Sequence, residues 1–261
     1  MSEHVDYVVA IPARYASTRL AGKPLAQVGG EPMICQVCKK ALASQALGVI
    51  ACVDHEAVAA ALAPLALENS RLRVCMTSQK PRSGTERIAE MLGLEHYPQD
   101  LILVNVQGDE PLITPEHIDT VASLIATKNA DMSTLCSPIT TVRDVFDPNC
   151  VKVVFNQDHF AQYFSRAPIP YERDNFMAGE VTELKFKHYR HIGIYGYRVR
   201  TILDYLQREP AELEQAESLE QLRLLHYGMS IAVAITERPP ECGVDTAEDL
   251  ARVNQILAAQ S

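Results

Sequence analysis

The stretch VDYVVAIPARYASTRLAGKPL (residues 5–25) joins an apolar run to a loop that is built mainly from small residues and carries three cations. Residues 5–12 are apolar except for Asp6, which is typical of a strand that is buried on both faces. Small side chains in the following loop allow its backbone N–H groups to approach a phosphate closely. Arg14, Arg19 and Lys23 add charge-assisted hydrogen bonds, and each arginine can pair with two phosphate oxygens. We therefore predict a strand followed by a phosphate-binding loop (residues 13–23, called the phosphate loop below).

The next hundred residues alternate between apolar runs and helical patterns. Further strands are predicted at 48–54, 72–76 and 101–107, and amphipathic helices at about 32–45, 55–67, 84–94 and 115–128. This alternation predicts an α/β fold, with a mostly parallel sheet and helices on both faces. Ligands of such sheets bind at the edge where the strands end, and the phosphate loop is predicted to lie at that edge.

The pattern changes after ADMSTLCSPI (130–139). Strand-like segments at 150–156 and 160–166 precede a proline-rich turn and a polar stretch that ends near residue 187. We interpret the region at about 140–210 as a lobe inserted into a single domain that spans residues 1–261. The remaining elements are predicted as a strand at 189–198, a pair of helices within 199–227, a strand at 231–235 and a helix at about 247–259.

The composition restricts the possible partners. The formal charge of −9 disfavours binding to nucleic acid polymers or anionic membranes, because both need a broad positive surface. No apolar run is long enough to span a bilayer and residues 1–6 lack the pattern of a signal peptide, so we expect a cytoplasmic protein. The seven cysteines are scattered through apolar segments, which indicates reduced thiols in the core. Cys35 and Cys38 form a CxxC inside a helical pattern, but no further cysteine pair or histidine completes a zinc site.

Two carboxylates are predicted to lie at the same edge of the sheet as the phosphate loop. Asp109 follows the strand at 101–107, in QGDEP, and Asp245 lies in CGVDTAEDL. Mg²⁺ takes one or two protein carboxylates and completes its coordination with phosphate oxygens and water, so we predict that these aspartates bind Mg²⁺. Thr246 resembles the start of a capping box, which is compatible with a metal-binding Asp245. Glu110 is expected only to face solvent or to order the turn.

Other polar segments leave more than one interpretation open. Ser83, Gly84 and Thr85 precede a predicted helix, where they would either contact a base or sugar or cap the helix. Strand alternation in YRHIGIYGYR puts His191 and Tyr195 on one face. That face suits a carbohydrate, but a tyrosine-rich edge strand explains it nearly as well.

The remaining patterns limit the chemistry. Arg87 lies one helical turn after Ser83 and would reach the same edge, whereas Glu220 has the spacing of a solvated helix face. The phosphate loop contains neither the GxxxxGK[ST] of a P-loop nor the GxGxxG of dinucleotide-binding folds. No Ser-His-Asp order and no nucleophilic cysteine context is found, so covalent catalysis is disfavoured. The residues favour metal-assisted displacement at a phosphate.

Seven motifs occur in the order and approximate spacing of one enzyme family. They are IPARYASTRLAGKPL, SGTER, NVQGDEP, FSRAPIP, HIGIYGYR, LEQLRLLHYG and GVDTAEDL, and they span about residues 7–256. The chain resembles the 3-deoxy-manno-octulosonate (KDO) cytidylyltransferase family, also called CMP-KDO synthetases. Each motif alone is weak, whereas the combination is highly specific.

The resemblance implies a Rossmann-like nucleotidyltransferase fold: a mostly parallel, mixed sheet flanked by helices, with an inserted lobe for sugar binding and homodimer formation. It implies Mg²⁺-dependent transfer of CMP from CTP to an eight-carbon acid sugar, with release of pyrophosphate, for lipopolysaccharide synthesis. Carried over by motif, the catalytic residues are Lys23, Asp109 and Asp245, and the two aspartates bind Mg²⁺. The nucleotide-binding residues are Ala13, Arg14, Arg19, Lys23, Ser83 and Gly84. The sugar-binding residues are Arg87, Gln107, Arg166, His191, Tyr195 and Glu220.

Several positions depart from the family pattern. Ala21 stands where the family usually has proline, and residues 79–82 replace a lead rich in His or Asp before the SGT motif. Ser218 stands where a bulky residue is usual, and His226 where an aromatic is usual. The departures lie near the sugar-side segments, so both KDO and its 8-amino analogue, 8-amino-3,8-dideoxy-manno-octulosonate, stay open as substrates. A sialic acid cytidylyltransferase and a non-catalytic nucleotide-binding protein of the same fold also stay open as interpretations.

Overall fold

The computed structural model of the chain describes residues 5–17, 19–240 and 243–260, with all their side chains except that of Gln260. Thr18, within the predicted phosphate loop, and Cys242, the first residue of the segment CGVDTAEDL, lie outside the described residues.

The strands that were predicted begin and end within a few residues of their predicted positions. In chain order they are β1 (Tyr7–Ala13), β2 (Gln27–Val28), β3 (Glu31–Pro32), β4 (Gly48–Val53), β5 (Leu72–Met76), β6 (Ile102–Asn105), β7 (Met132–Ile139), β8 (Lys152–Phe155), β9 (Ala161–Ser165), β10 (His188–Arg198) and β11 (Ile231–Ile235). The helices are α1 (Met33–Leu42), α2 (Glu56–Glu68), α3 (Gly84–Leu94), α4 (Pro115–Lys128), α5 (Val142–Phe146), α6 (Arg173–Phe176), α7 (Val199–Gln207), α8 (Glu212–Glu217), α9 (Gln221–His226) and α10 (Ala247–Gln260). A 3₁₀ turn at Lys23–Leu25 follows the phosphate loop.

Within the described residues, β1 and β4 to β11 form one mixed sheet. β1 pairs in parallel with β4 on one side and with β6 on the other, and β5 pairs in parallel with β4. β10 lies antiparallel between β6 and β7, β11 pairs in parallel with β7, and β8 joins β9 to the edge of β10. The carboxyl ends of β1, β4, β5 and β6 therefore meet at one edge. The predicted α/β fold with a mostly parallel, mixed sheet is confirmed.

Helices cover both faces of this sheet, and each face has its own core. In β1, the side chains of Val9 and Ile11 pack with apolar residues of α1, α2 and α4, whereas Ala10 packs with those of α3 and α7. Burial on both faces explains why this strand has a continuous rather than an alternating apolar pattern. Among the helices described, none is both long and apolar enough to cross a membrane.

The cysteines of the apolar segments are core residues, as predicted. Cys52, Cys75 and Cys136 are buried free thiols, and so are Cys35 and Cys38 of the CxxC in α1. Burial raises the pKa of Cys35, which makes its thiol less reactive.

One central strand, β7, was not predicted. Its Ser133 and Thr134 are fully buried, because their hydroxyl groups donate to backbone carbonyls: Ser133 Oγ to Val121 O at 2.7 Å and Thr134 Oγ1 to Ile194 O at 2.8 Å. A polar side chain with such a partner can occupy a core position. The polar residues in this segment therefore explain why its sequence did not predict a buried strand.

The predicted pair of helices within 199–227 is wrong in number, because three helices, α7, α8 and α9, lie there. Pro210 separates the first two, since proline cannot continue a helix and disfavours helical geometry in the residue before it. Ser218 ends α8 in a left-handed conformation, with φ of 53°.

The region predicted as an inserted lobe contains α5, β8, β9, α6, β10 and α7. β10 lies inside the main sheet rather than beside it. A bulge leaves residues 193 and 194 without partners between Ile192 and Tyr195. Because two residues are inserted, the alternation is preserved, and the rings of His191 and Tyr195 stay neighbours with centroids 5.4 Å apart. The boundaries of the lobe stay a prediction.

Gly196 of β10 allows α4 to pack closely on the sheet. A Cβ atom at this position would lie 2.5 Å from Ser133 Oγ and 3.0 Å from the carbonyl oxygen of Val121. Gly93 in α3 is the opposite case, because a Cβ atom there would meet nothing within 4 Å.

We predict that Gly196→Ala lowers the free energy of unfolding by about 1–3 kcal/mol, because the methyl group overpacks the contact with α4. Gly93→Ala, the matched control, should instead raise it by up to about 1 kcal/mol, because alanine favours a helix. Chemical denaturation of the two variants measures both effects. Equal stability of Gly196→Ala and the wild type would contradict this packing.

Candidate active site

A cavity of about 700 Å³ opens at the sheet edge where β1 and β6 end. Its wall combines the phosphate loop, the start of α3, the turn after β6 and the segment before α10. The predicted site residues that line it are Ala13, Arg14, Arg19, Lys23, Ser83, Gly84, Arg87, Gln107, Asp109 and Asp245. The structure thus brings together all residues predicted for the nucleotide and the metal, and two of those predicted for the sugar.

Two glycines allow the segments of this wall to approach one another. A Cβ atom at Gly108 would lie 2.9 Å from the carbonyl oxygen of Pro12, so only glycine lets the turn after β6 rest against the end of β1. Gly22 has a left-handed conformation, with φ of 63°, and directs the chain into the 3₁₀ turn that begins with Lys23.

Lys23 joins the two predicted metal ligands. Its Nζ lies 2.5 Å from Asp109 Oδ2 and 2.8 Å from Asp245 Oδ1, and its side chain is only 13% exposed. Burial alone would lower the pKa of this ammonium, but the charges and hydrogen bonds of the two carboxylates raise it above its ordinary value. Arg19 also pairs with Asp245, at 3.1 Å. In the part of the chain that the structure describes, Arg14 forms no ion pair.

The segment before α10 holds Asp245 through the predicted capping box. Thr246 Oγ1 donates to Asp249 Oδ2 at 2.9 Å, and the N–H of Asp249 donates back to Thr246 Oγ1 at 3.2 Å. The backbone N–H of Asp245 also donates to Asp249 Oδ2. Asp249 therefore orders the turn, while the side chain of Asp245 lies in the cavity, as predicted.

The donor set suits a divalent cation that arrives with a nucleotide. No group of three His, Cys, Asp or Glu side chains within the described ranges could hold a metal by itself. Asp109 and Asp245 nevertheless converge on one point, where the Lys23 ammonium lies. Two carboxylates together with phosphate oxygens are the ligands that Mg²⁺ prefers. The residues present therefore fit Mg²⁺.

Glu110 is a neighbour of the site, although its sequence context predicts only that it faces solvent or orders the turn. Burial, and after it the charge of Asp109, raises the pKa of Glu110 to about 8. A Cβ atom at Gly243 would lie 2.8 Å from Glu110 Oε1, so glycine makes room for this carboxyl group. The adjacent acidic residues in QGDEP are the sequence feature that could have indicated a position for Glu110 near the site.

The start of α3 supports both interpretations of its small residues. Ser83 caps the helix, because its Oγ accepts the N–H of Glu86 at 3.3 Å, and it also lines the cavity. Arg87, predicted to bind the sugar, is only 2% exposed, and its guanidinium already pairs with Asp54 Oδ2 at 2.9 Å. It also donates to Thr77 Oγ1 at 2.6 Å. The structure thus gives this guanidinium protein partners, since a buried arginine needs them.

The other predicted sugar ligands divide into two places. Tyr195 and Glu220 line a small second cavity of about 20 Å³ that also includes Thr85. Burial raises the pKa of Glu220, although hydrogen bonds from Thr85 and Ser83 oppose the shift. These contacts connect Glu220 with the start of α3, so it is not the solvated residue that its spacing indicated. His191 adjoins Tyr195, and burial lowers its pKa to about 3, so it is neutral at pH 7.

Arg166 lies at neither cavity, so the structure does not bring it together with the other predicted sugar ligands. Its Nε donates to the carbonyl oxygen of Glu217 at 2.6 Å, and its Nη1 donates to that of Pro148 at 2.9 Å. These hydrogen bonds connect the end of β9 with the end of α8 and with the segment before β8. They are formed because a guanidinium with five donors can bind several carbonyls at once.

Comparisons with known proteins identify the family of the chain. A sequence model of the family described as Cytidylyltransferase matches residues 8–231. The 3-deoxy-manno-octulosonate cytidylyltransferase of Aeromonas salmonicida is 49% identical, and the match covers 97% of this chain and 100% of that protein. The enzyme of the same name from Vibrio vulnificus is 48% identical, with 98% of this chain and 100% of that protein covered.

Solved structures show the same likeness. CMP:2-keto-3-deoxy-manno-octonic acid synthetase complexed with CTP superimposes with a TM-score of 0.88 at 35% identity, covering 98% of this chain and 100% of that chain. A 4-diphosphocytidyl-2C-methyl-D-erythritol synthase from Anaerococcus prevotii shares only the fold, with a TM-score of 0.61 and 14% identity over 97% of this chain and 96% of that chain. The motifs, the fold and these nearly full-length matches together show that the chain belongs to the 3-deoxy-manno-octulosonate cytidylyltransferase family.

Proposed function

We propose that this cytidylyltransferase couples CTP to KDO, or to a close analogue of it, and releases pyrophosphate. The observation that carries the proposal is the single cavity in which the cations of the phosphate loop face the carboxylates Asp109 and Asp245. Groups that suit a nucleotide and groups that suit its metal thus lie within one site. The high identity to enzymes named for this reaction supports the choice of sugar. The product would serve lipopolysaccharide synthesis in the cytoplasm.

The reaction is an in-line displacement at the α-phosphate of CTP. The anomeric hydroxyl of the sugar releases its proton to solvent as its oxygen bonds to the α-phosphorus. The bond from that phosphorus to the β-phosphate oxygen breaks, and pyrophosphate leaves. The chain contributes by holding both substrates in line and by neutralising charge. Arg14 and Arg19 would bind the triphosphate, and Ser83 with Gly84 would contact the nucleoside. Mg²⁺ held by Asp109 and Asp245 would supply positive charge at the reacting phosphates.

Lys23 has two sets of anionic partners in this scheme. Without a nucleotide, it neutralises Asp109 and Asp245. Triphosphate oxygens offer the same ammonium a different partner at the same edge of the cavity. We propose that Lys23 exchanges the aspartates for the triphosphate, which frees the two carboxylates for Mg²⁺.

The sugar would approach from the side of Gln107, Tyr195 and Glu220. Gln107 lies in the large cavity, and Tyr195 and Glu220 lie beyond Thr85 in the small one. We assign Arg87 and Arg166 to structural positions instead, because their guanidinium groups already have protein partners. A non-catalytic role is disfavoured, because the cations and carboxylates of the site are all present.

We further propose that the protein is a homodimer formed through the inserted lobe. The lobe exposes several large apolar side chains: Met177 is 71% exposed, Phe186 69% and Tyr171 58%. The ring of Phe176 contacts those of Phe146 and Tyr171, so part of this surface is continuous. An exposed apolar patch of this kind is typical of a protein–protein interface.

The substrate assay measures pyrophosphate release with CTP, Mg²⁺ and either KDO or its 8-amino analogue. We expect turnover only when nucleotide, metal and sugar are all present, and the better of the two sugars identifies the physiological class. Asp109→Asn should lower kcat at least about 100-fold, because several kcal/mol of charge stabilisation are lost. Asp204→Asn, which changes a half-buried aspartate of α7 that pairs with Arg208, is the matched control. Equal turnover with ATP, or none with either sugar, would contradict the proposal.

The dimer is tested by sedimentation equilibrium, which should give twice the 28.9 kDa chain mass. Replacing Met177 and Phe186 together by serine should shift the population towards the monomer. Leu67→Ser is the control, because Leu67 is 89% exposed but lies in α2, outside the lobe. A monomeric wild type, or a dimer that the lobe variant leaves unchanged, would refute this interface.

A further inference from the structure

The end of β4 contacts the phosphate loop although it belongs to none of the motifs that identify the site. Asp54 follows β4 directly and is 8% exposed. Its Oδ1 accepts a hydrogen bond of 2.8 Å from the backbone N–H of Tyr15. Tyr15 follows Arg14 in the chain, so this bond fixes the backbone next to a predicted triphosphate ligand.

The second oxygen of Asp54 is held by Arg87. Oδ2 lies 2.9 Å from Arg87 Nη2, and the two side chains are only 3% and 2% exposed. Arg87 also donates through Nη1 to Thr77 Oγ1 at 2.6 Å and to the carbonyl oxygen of Ser78 at 3.0 Å. A buried carboxylate with one oxygen fixed in this way presents the other in a defined direction. Arg87 thus orients Asp54 towards the loop.

An aromatic contact reinforces this hydrogen bond. The ring of Tyr15 stacks on the imidazole of His55, with centroids 3.9 Å apart and an angle of 18° between the planes. His55 is itself fixed, because its Nδ1 accepts the N–H of Ala57 at 3.1 Å and caps α2. Gly22, at the far end of the loop, also packs on the ring, since a Cβ atom there would lie 3.6 Å from it. The ring of Tyr15, near the start of the loop, therefore connects the far end of the loop with His55.

We propose that Asp54 and His55 are positioning residues that hold the phosphate loop in the conformation that binds the triphosphate. Asp54 fixes the backbone at Tyr15, and His55 fixes the ring against which Gly22 packs. Neither residue lines the cavity. Their loss should therefore weaken CTP binding, because Arg14 loses its fixed placement. Turnover at saturating CTP should persist, because Lys23 stays held by Asp109 and Asp245. This inference rests on the proposed binding of CTP by the loop.

The two contacts of His55 can be removed separately, so that each of two variants is the control for the other. His55→Ser keeps a side chain that caps α2 well but removes the ring that stacks on Tyr15. His55→Phe keeps a stacking ring but removes the cap. Substitution of Asp54 is less informative, because it also leaves the buried Arg87 without its charged partner.

We expect His55→Ser to raise the dissociation constant of CTP about fivefold to tenfold, which corresponds to an aromatic contact. Its kcat at saturating CTP should stay within about twofold of the wild type, since no catalytic contact is lost. His55→Phe should bind CTP like the wild type but unfold at a lower denaturant concentration. Isothermal titration calorimetry, steady-state kinetics and chemical denaturation provide these values.

Hydrogen exchange of the backbone around Tyr15, measured without nucleotide, tests the anchor independently of function. Faster exchange in His55→Ser than in His55→Phe supports the anchor. Unchanged exchange and unchanged CTP affinity in His55→Ser would overturn it, and so would equal loss of CTP affinity in the two variants. If the wild type binds no CTP, the proposed function fails, whereas the exchange data still decide whether the anchor exists.

Discussion

The arrangement of the candidate active site depends on one electrostatic constraint: two aspartates that converge on one point need a cation between them. In this structure the cation is the ammonium of Lys23, at 2.5 Å from Asp109 and 2.8 Å from Asp245. The three residues come from the loop after β1, the turn after β6 and the segment before α10. Their mutual attraction offsets the repulsion that two nearby carboxylates would otherwise produce. It thereby holds together three distant parts of the chain at the carboxyl edge of the sheet.

The placement of cations on one loop explains how an acidic protein can bind a highly charged nucleotide. With a formal charge of −9, the chain as a whole repels a triphosphate, so binding depends on cations placed locally. Arg14, Arg19 and Lys23 lie on one loop, and the loop is held to the end of β4 through Tyr15. Because these three cations lie close together on a fixed backbone, they can act together on one ligand. Triphosphate binding by the loop therefore depends on the contacts that anchor the loop as well as on its cations.

Much of this site could be predicted from the sequence, because its residues lie in short motifs at the ends of strands. Asp109 and Lys23 were found in this way, since parallel strands bring their carboxyl ends to one edge. The buried surroundings of Arg87 and Glu110 were not predicted, because burial and pairing depend on partners far away in the chain. Arg87 pairs with Asp54, 33 positions earlier, and Glu110 lies against the backbone of Gly243.

The fold shows the same division. Apolar strands such as β1 were predicted from their pattern, but β7 was missed because Ser133 and Thr134 are buried with hydrogen bonds to carbonyls of other elements. The number of helices after β10 was missed because Ser218 takes a left-handed conformation that only the surrounding structure reveals. The local sequence thus predicts where apolar strands form. Whether a polar residue is buried in the core depends on hydrogen-bond partners in other elements.

The claim that Lys23 and the metal compete for the same two carboxylates is tested most directly by the affinity for Mn²⁺ without nucleotide. Electron paramagnetic resonance measures this affinity. Lys23→Met should bind Mn²⁺ at least about tenfold more tightly than the wild type, a difference of about 1.4 kcal/mol, because the internal cation is gone. Lys39→Met, which removes an exposed lysine paired with Glu31, should leave the affinity unchanged. Affinity in Lys23→Met equal to or weaker than that of the wild type would contradict the account.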